Sequence, residues 1–286
     1  CLGLFRIDHL VIALVVVFAA YYSRRTKSFF LSFLGFVGVA WFYDAMRFFK
    51  DLGLSVDRVA LCNLRELERS LFGFTYEGQR ITFQDYFYTH HNIIADVYFA
   101  IPYCIFIYVA MGYGVYLFVK DPRACQRYSW SFFVLNIAGF VTYHVLPAAP
   151  PWYFHKFGCA VDLAAHSSEG AALARVDALL HMSYFNAFYG RASEVYGAIP
   201  SLHVAYPLLI AYEGWRRHSK ALRALIVLYC ASMCVAAVYL DHHWIIDILC
   251  GWTYTLVVIL IMRRVIPVEK AVPCSDPAVL SQDVAA

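Results

Sequence analysis

Long apolar runs separated by short basic clusters dominate the chain from its first residues to about position 264. About 20 mostly apolar residues cross a bilayer as one helix. By that criterion seven spans are predicted, at 8–22, 28–48, 96–119, 128–145, 200–215, 221–240 and 242–262. The expected fold class is therefore all-α, a polytopic transmembrane helix bundle of about six to seven spans. Two long connections interrupt it. In the first, 51–92, Val56, Val59, Ala60, Leu64, Leu67 and Leu71 recur at helical intervals among Arg58, Arg65, Glu66, Glu68 and Arg69. That pattern suits an amphipathic helix at the membrane interface, or a loop helix packed on the spans. The second, 154–198, carries one short predicted helix near 171–182. Ahead of it Pro147, Pro150 and Pro151 cannot continue a helix, so the chain is expected to leave the membrane there in extended form.

Composition agrees with the pattern. Hydrophobic residues make up 62% and charged residues 15%, whereas soluble domains are about one quarter charged. The charges are also placed unevenly. Counting alternate sides, Arg24, Arg25 and Lys27, then Lys120, Arg123 and Arg127, then Arg216, Arg217 and Lys220, then Arg263 and Arg264 share one face, which the positive-inside rule makes cytoplasmic. Both long connections, the start of the fifth span and the junction of the sixth and seventh share the other face. Short basic clusters of this kind form no nucleic-acid patch. The first apolar run has no small-residue cleavage pattern, so no cleavable signal peptide is expected, and a first residue of Cys1 suggests a trimmed chain. Nine cysteines without a C-x-x-C pair offer no thiolate metal site. Cys62 and Cys159 fall on the expected oxidising side, where a disulfide is permitted.

Ionisable groups at the mouths of apolar segments are costly without partners, and are therefore where chemistry is sought. Pro200 suits the first turn of a helix. That would put Ser201, Leu202 and His203 among unpaired N–H groups, a start that attracts an anion; the alternative is a helix start with an incidental histidine. His243 and Asp247 are four apart, so on a helix the carboxylate can accept from one imidazole nitrogen, leaving the other free as base or nucleophile. The alternative there is a buried polar pair stapling helices. His242 lies about 100° round that helix and is less suited to Asp247. His90 and His91, on the same side, form a second polar cluster or only an interfacial pair.

Pro200-Ser201-Leu202-His203 and His243-Trp244-Ile245-Ile246-Asp247 resemble the second and third motifs of the type 2 phosphatidic acid phosphatase superfamily. With Leu146-Pro147-Ala148-Ala149-Pro150-Pro151-Trp152-Tyr153 and Tyr239-Leu240-Asp241-His242-His243, the wording is similar to the inositol phosphorylceramide synthase branch. The resemblance covers roughly 142–252. Three departures stand out. The stretch 144–152 holds neither Lys nor Arg, Ala236 and Ala237 replace a Ser-Arg pair, and Leu202 replaces a Gly. Loss of those cations fits a phosphodiester better than a dianionic phosphomonoester.

The resemblance implies catalytic roles for His243 as nucleophile, Asp247 as its orienting carboxylate and His203 as acid and then base, through a phosphohistidine. It implies that Ser201 and the backbone N–H groups at Leu202 stabilise the phosphorus. His144, Trp152, Tyr153, Lys156 and Arg191 are further candidates for binding substrate or phosphate. No metal or other cofactor is required. The implied reaction moves a head group from a phosphatidylinositol-like donor to a ceramide-like acceptor, at the extracytoplasmic face of a bacterial inner membrane or of the Golgi. The domains are then 1–95, N-terminal spans and an extracytoplasmic amphipathic segment; 96–265, the catalytic membrane core; and 266–286, a disordered cytoplasmic tail. Rival readings are a lipid phosphatase or phosphodiesterase with water as acceptor, a metal-dependent oxidase using His90, His91, His203, His242 and His243, and a transporter.

Overall fold

The computed structural model describes residues 7–49, 52–164, 169–191 and 194–267. The expected tail therefore lies outside the described residues from 268 onward. Each expected span coincides with a helix: α1 (Ile7–Tyr22), α2 (Arg24–Met46), α5 (Ile93–Lys120), α6 (Pro122–Val145), α10 (Leu202–Gly214), α11 (Lys220–Tyr239) and α12 (Ile245–Val265). Among the described residues α2, α5, α11 and α12 are long and apolar enough to cross a membrane. Their exposed Val, Leu, Ile and Tyr side chains face what must be lipid, since water would make so much bare apolar surface costly. The chain is an integral membrane protein.

The other three helices depart from the simple span for physical reasons. At 16 residues α1 is about 24 Å long and at 13 residues α10 is about 20 Å, against a hydrocarbon core of about 30 Å. Long enough at 24 residues, α6 nevertheless buries Arg127, Ser129, Ser131 and Asn136. It is the central helix, packed on α2, α5, α10 and α12, and α10 is enclosed by α5, α6, α11 and α12. Inside the bundle Arg127 and Asn136 have partners. Arg127 forks onto Glu213 at 2.8 and 2.6 Å, and Asn136 accepts from the Tyr206 hydroxyl. Central positions thus tolerate a polarity that lipid-facing ones do not.

The two long connections fold together as a cap over one end of the bundle. The first contributes α3 (Cys62–Phe72), a hairpin of β1 (Phe74–Tyr76) and β2 (Gln79–Ile81), and α4 (Phe83–Thr89). The hairpin pairs Phe74 with Ile81, and its turn takes positive φ at both Glu77 (48°) and Gly78 (79°), the geometry that twists with two strands. The 51–92 stretch is therefore broken into pieces. Leu64 and Glu68 face inward, while Leu67 and Leu71 are exposed. From the second connection come α7 (Pro151–Phe157), α8 (Ala174–Leu179) and α9 (Tyr184–Tyr189). The extended exit ends at Pro150, because Pro151 opens α7 at a first-turn position where proline fits. The expected helix at 171–182 is a 3-10 turn, Ala171–Leu173, followed by α8. A disulfide joins Cys62 to Cys159, tying the start of α3 to the segment just after α7.

Candidate active site

Two loops enter the bundle beneath the cap. One descends through Ala198 and Ser201 into α10, and the other turns from α11 through Asp241, His242 and His243 into α12. Neither helix begins where the sequence predicts. Instead of opening at Pro200, α10 opens at Leu202 after Ser201, and Pro200 sits before it in a cis peptide. Rather than at His242, α12 opens at Ile245, so His243 stands outside the helix. Asp247 occupies the third position of α12, and its Oδ2 accepts from the Trp244 N–H at 2.8 Å and from His243 Nδ1 at 3.3 Å. The pair therefore meets across a helix cap instead of along a helix face. Close packing of α12 on the α10 loop sets the distance. A Cβ on Gly251 would stand 2.3 Å from the Ser201 carbonyl, and the Ser201 N–H donates to the Asp247 carbonyl at 3.0 Å.

His203 Nδ1 lies 3.1 Å from His243 Nε2. With Asp247 accepting from Nδ1–H, His243 keeps its Nε2 lone pair toward His203. His203 then carries its proton on Nδ1, and its Nε2 faces the Tyr189 hydroxyl at 3.3 Å. These tautomers are assigned from the hydrogen-bond network. The Tyr103 ring stacks on His203 at 4.6 Å and 18°, with Phe106 at 4.7 Å. Burial pushes the His243 imidazole down to about 4, so it is neutral near pH 7. Around the triad, Ser201 Oγ, Asp247 Oδ1, His242 Nε2 and the Tyr103 hydroxyl are buried with no protein partner. Unsatisfied buried polar atoms are individually costly and usually explained by a ligand or water.

The cap holds the turn from His243 into α12 from outside. Fully buried Glu68, from α3, accepts from the Ile245 and Ile246 N–H groups at 2.8 and 3.2 Å, capping α12. Its Oε1 also accepts from Gln84 Nε2 at 3.1 Å, and that amide donates to the His243 carbonyl at 3.1 Å. Trp244, also fully buried, donates from Nε1 to the Ala149 carbonyl. His155 of α7 bridges Asp241 at 2.8 Å and Asp85 at 3.1 Å, and Arg65 pairs with Asp85 at 2.8 Å. Burial works against a charged His155, but the two carboxylates outweigh it and hold the imidazole up to about 9. Asp85 is half-buried, which works against its charge, yet the His155, Thr82 and Arg65 contacts keep it well below the usual carboxylate range.

His203, His243, Asp247 and Ser201 are thus brought together, and Leu202 packs its side chain against Gly139 of α6. Other candidates are engaged elsewhere. Both ring nitrogens of His144 lie against backbone carbonyls, of Phe140 and Phe49. Trp152 and Tyr153 are buried in the cap core, and the Tyr153 hydroxyl accepts from Asp162 N–H and Tyr196. Lys156 pairs with Glu169 at the surface, and Arg191 is exposed. His90 stacks on Tyr86 and bonds Tyr76. Among the described residues no group of three or more His, Cys, Asp or Glu is arranged to hold a metal. Sequence reading missed Glu68, Gln84, Tyr189 and His155 as site groups. Only Glu68 left a signal, as a carboxylate four residues after Leu64, on its face of a helix.

A family model described as PAP2 superfamily matches residues 64–261. A phosphoinositol dihydroceramide synthase of Bacteroides thetaiotaomicron is 34% identical over 256 residues, which is 88% of this chain and 82% of that protein. The inositol phosphorylceramide synthase catalytic subunit of Saccharomyces cerevisiae is 31% identical over 125 residues, 43% of this chain and 31% of its own. Its counterpart in Schizosaccharomyces pombe is 26% identical over 175 residues, 59% and 40% of the two chains. No solved structure matches.

Proposed function

Because the chain belongs to the PAP2 superfamily, in the branch of the inositol phosphorylceramide synthases, we propose that it moves phosphoinositol from a glycerophospholipid to ceramide or a similar lipid alcohol. The observation that carries the chemistry is the line Asp247–His243–His203–Tyr189, in which each group fixes the proton of the next. A phosphodiester entering between the imidazoles meets the His243 Nε2 lone pair on one side and the His203 Nδ1 proton on the other. His203 takes up a second proton as the anionic diester binds; the His243 lone pair then forms the N–P bond as the P–O bond to diacylglycerol breaks, and the His203 imidazolium gives its Nδ1 proton to the departing oxygen. Asp247 then faces an imidazolium, whose charge it stabilises. Neutral His203 next takes the proton of the acceptor hydroxyl. That oxygen attacks phosphorus, the N–P bond breaks, and both histidines return to their first state. Ser201 Oγ and the first-turn N–H groups of α10 are donors available to the phosphoryl oxygens, because Glu68 already occupies the start of α12.

We place the reaction on the extracytoplasmic face. Support comes from the disulfide in the cap, which suits an oxidising compartment, and from the basic loops at the opposite end. The test is incubation of purified protein in detergent with phosphatidylinositol, with and without ceramide, followed by lipid mass spectrometry. Inositol phosphorylceramide and diacylglycerol formed only with both lipids support the transferase, and turnover without ceramide would replace it with a hydrolase. His243→Ala is expected to abolish turnover while leaving the protein folded, and retained activity would refute the histidine mechanism.

A further inference from the structure

At the basic end of the bundle, α2 and α6 begin side by side around a cavity of about 350 Å³. Arg24, Lys27 and Arg123 all line it, with Ser28, Gln126 and Leu31. Since α6 is 24 residues long, this cavity stands about 35 Å along the bundle from the end that leads to the catalytic turn. Basic residues scattered over an exposed loop point separately into water. Here three exposed basic side chains line one open groove, whose positive potential attracts an anion. Arg24 and Lys27 have no acidic partner among the described residues, and the facing Ser28 and Gln126 add hydrogen-bonding side chains.

We propose that this cavity binds the phosphoryl head group of an anionic glycerophospholipid, independently of the catalytic site. Basic pockets between helices at a membrane surface recognise such head groups. Leu31, 49% exposed, gives the cavity an apolar wall that continues along α2 into exposed Leu34 and Trp41. An acyl chain fits against that ridge, and free phosphate has nothing to place there.

Native mass spectrometry of the full chain released from detergent tests the assignment with three probes: phosphatidylglycerol, phosphatidylcholine and inorganic phosphate. Each basic side chain near an anionic head group contributes about a fivefold factor in binding. The combined variant Arg24→Gln, Lys27→Gln, Arg123→Gln is expected to lose phosphatidylglycerol binding on the order of a hundredfold. His243→Ala should retain it, which separates this site from the catalytic one. Phosphatidylglycerol bound over phosphatidylcholine, lost in the triple variant and kept in His243→Ala, supports the proposal. Equal retention of the two lipids, or binding unchanged in the triple variant, overturns it. Binding of inorganic phosphate with no preference for the anionic lipid overturns the lipid assignment in favour of a free-anion site. If the triple variant does not fold, Lys27→Gln and Arg123→Gln alone should each weaken binding about fivefold, and no change in either refutes the site.

Discussion

Replacing Glu68 with alanine removes a carboxylate that touches no proposed reacting atom, yet it is expected to cost most of the activity. Two backbone N–H groups, of Ile245 and Ile246, lose their acceptor, and Gln84 loses one of its two. An orphaned buried donor costs about 1–3 kcal/mol, so the two N–H groups together set a destabilisation of about 2–6 kcal/mol. Part of that cost is local. The first turn of α12 carries Asp247, and Gln84 holds the His243 carbonyl, so a loosened cap shifts both members of the pair. A misplacement of about 1 Å at reacting groups costs about a hundredfold in rate. The assay is turnover of phosphatidylinositol with ceramide in detergent, alongside thermal unfolding of the same preparations. Glu68→Gln keeps one acceptor oxygen and most of the shape, and should recover part of both quantities. Wild-type turnover and unchanged unfolding in Glu68→Ala would refute the reasoning, because buried N–H groups would then have been lost without consequence.

Gly251→Ala should lower activity sharply, since its Cβ would meet the Ser201 carbonyl at 2.3 Å and force α12 away from the α10 loop; wild-type kinetics would show that this contact does not set the site. The His155 link has a pH signature. Its folded pKa of about 9 lies above the unfolded value of 6.5, so its stabilisation is complete below pH 6.5 and lost as pH rises through 9, about 3 kcal/mol in all. Unfolding temperature should fall between pH 7 and 10 in the wild type and much less in His155→Gln; parallel curves would refute the assignment. The Cys62–Cys159 crosslink spans 97 residues. In a chain-entropy model it contributes about 4–5 kcal/mol, so the double serine variant should unfold well below the wild type, and an unchanged unfolding temperature would show that the crosslink adds nothing.

Apolar run length was enough to locate all seven bundle helices, because lipid imposes a length and a polarity on whatever faces it. It did not distinguish a helix facing lipid from one enclosed by others, which is why short α10 and polar α6 read as ordinary spans. The two histidine motifs were legible because ionisable residues beside apolar runs need a reason. Their local geometry was not. Reading Pro200 and His242 as helix starts placed His203, His243 and Asp247 in register, but the contact to Asp247 is made across the cap of α12. The supporting groups were hidden for a different cause. Glu68, Gln84 and His155 come from segments 86 to 177 residues away in sequence, and a charged residue on an amphipathic helix is ordinarily a solvated one.

The distance in sequence between Glu68 and its partners also bears on how the protein is made. The cap helix leaves the ribosome 177 residues ahead of Ile245, an interval of about 10–35 s at ordinary synthesis rates. Throughout that time the carboxylate has no α12 helix end to cap. The Glu68 bonds to Ile245 and Ile246 form only once α12 is made. A chain stopped after α11 therefore lacks the Ile245 and Ile246 N–H groups, and of these partners its Glu68 carboxylate keeps the Gln84 amide alone.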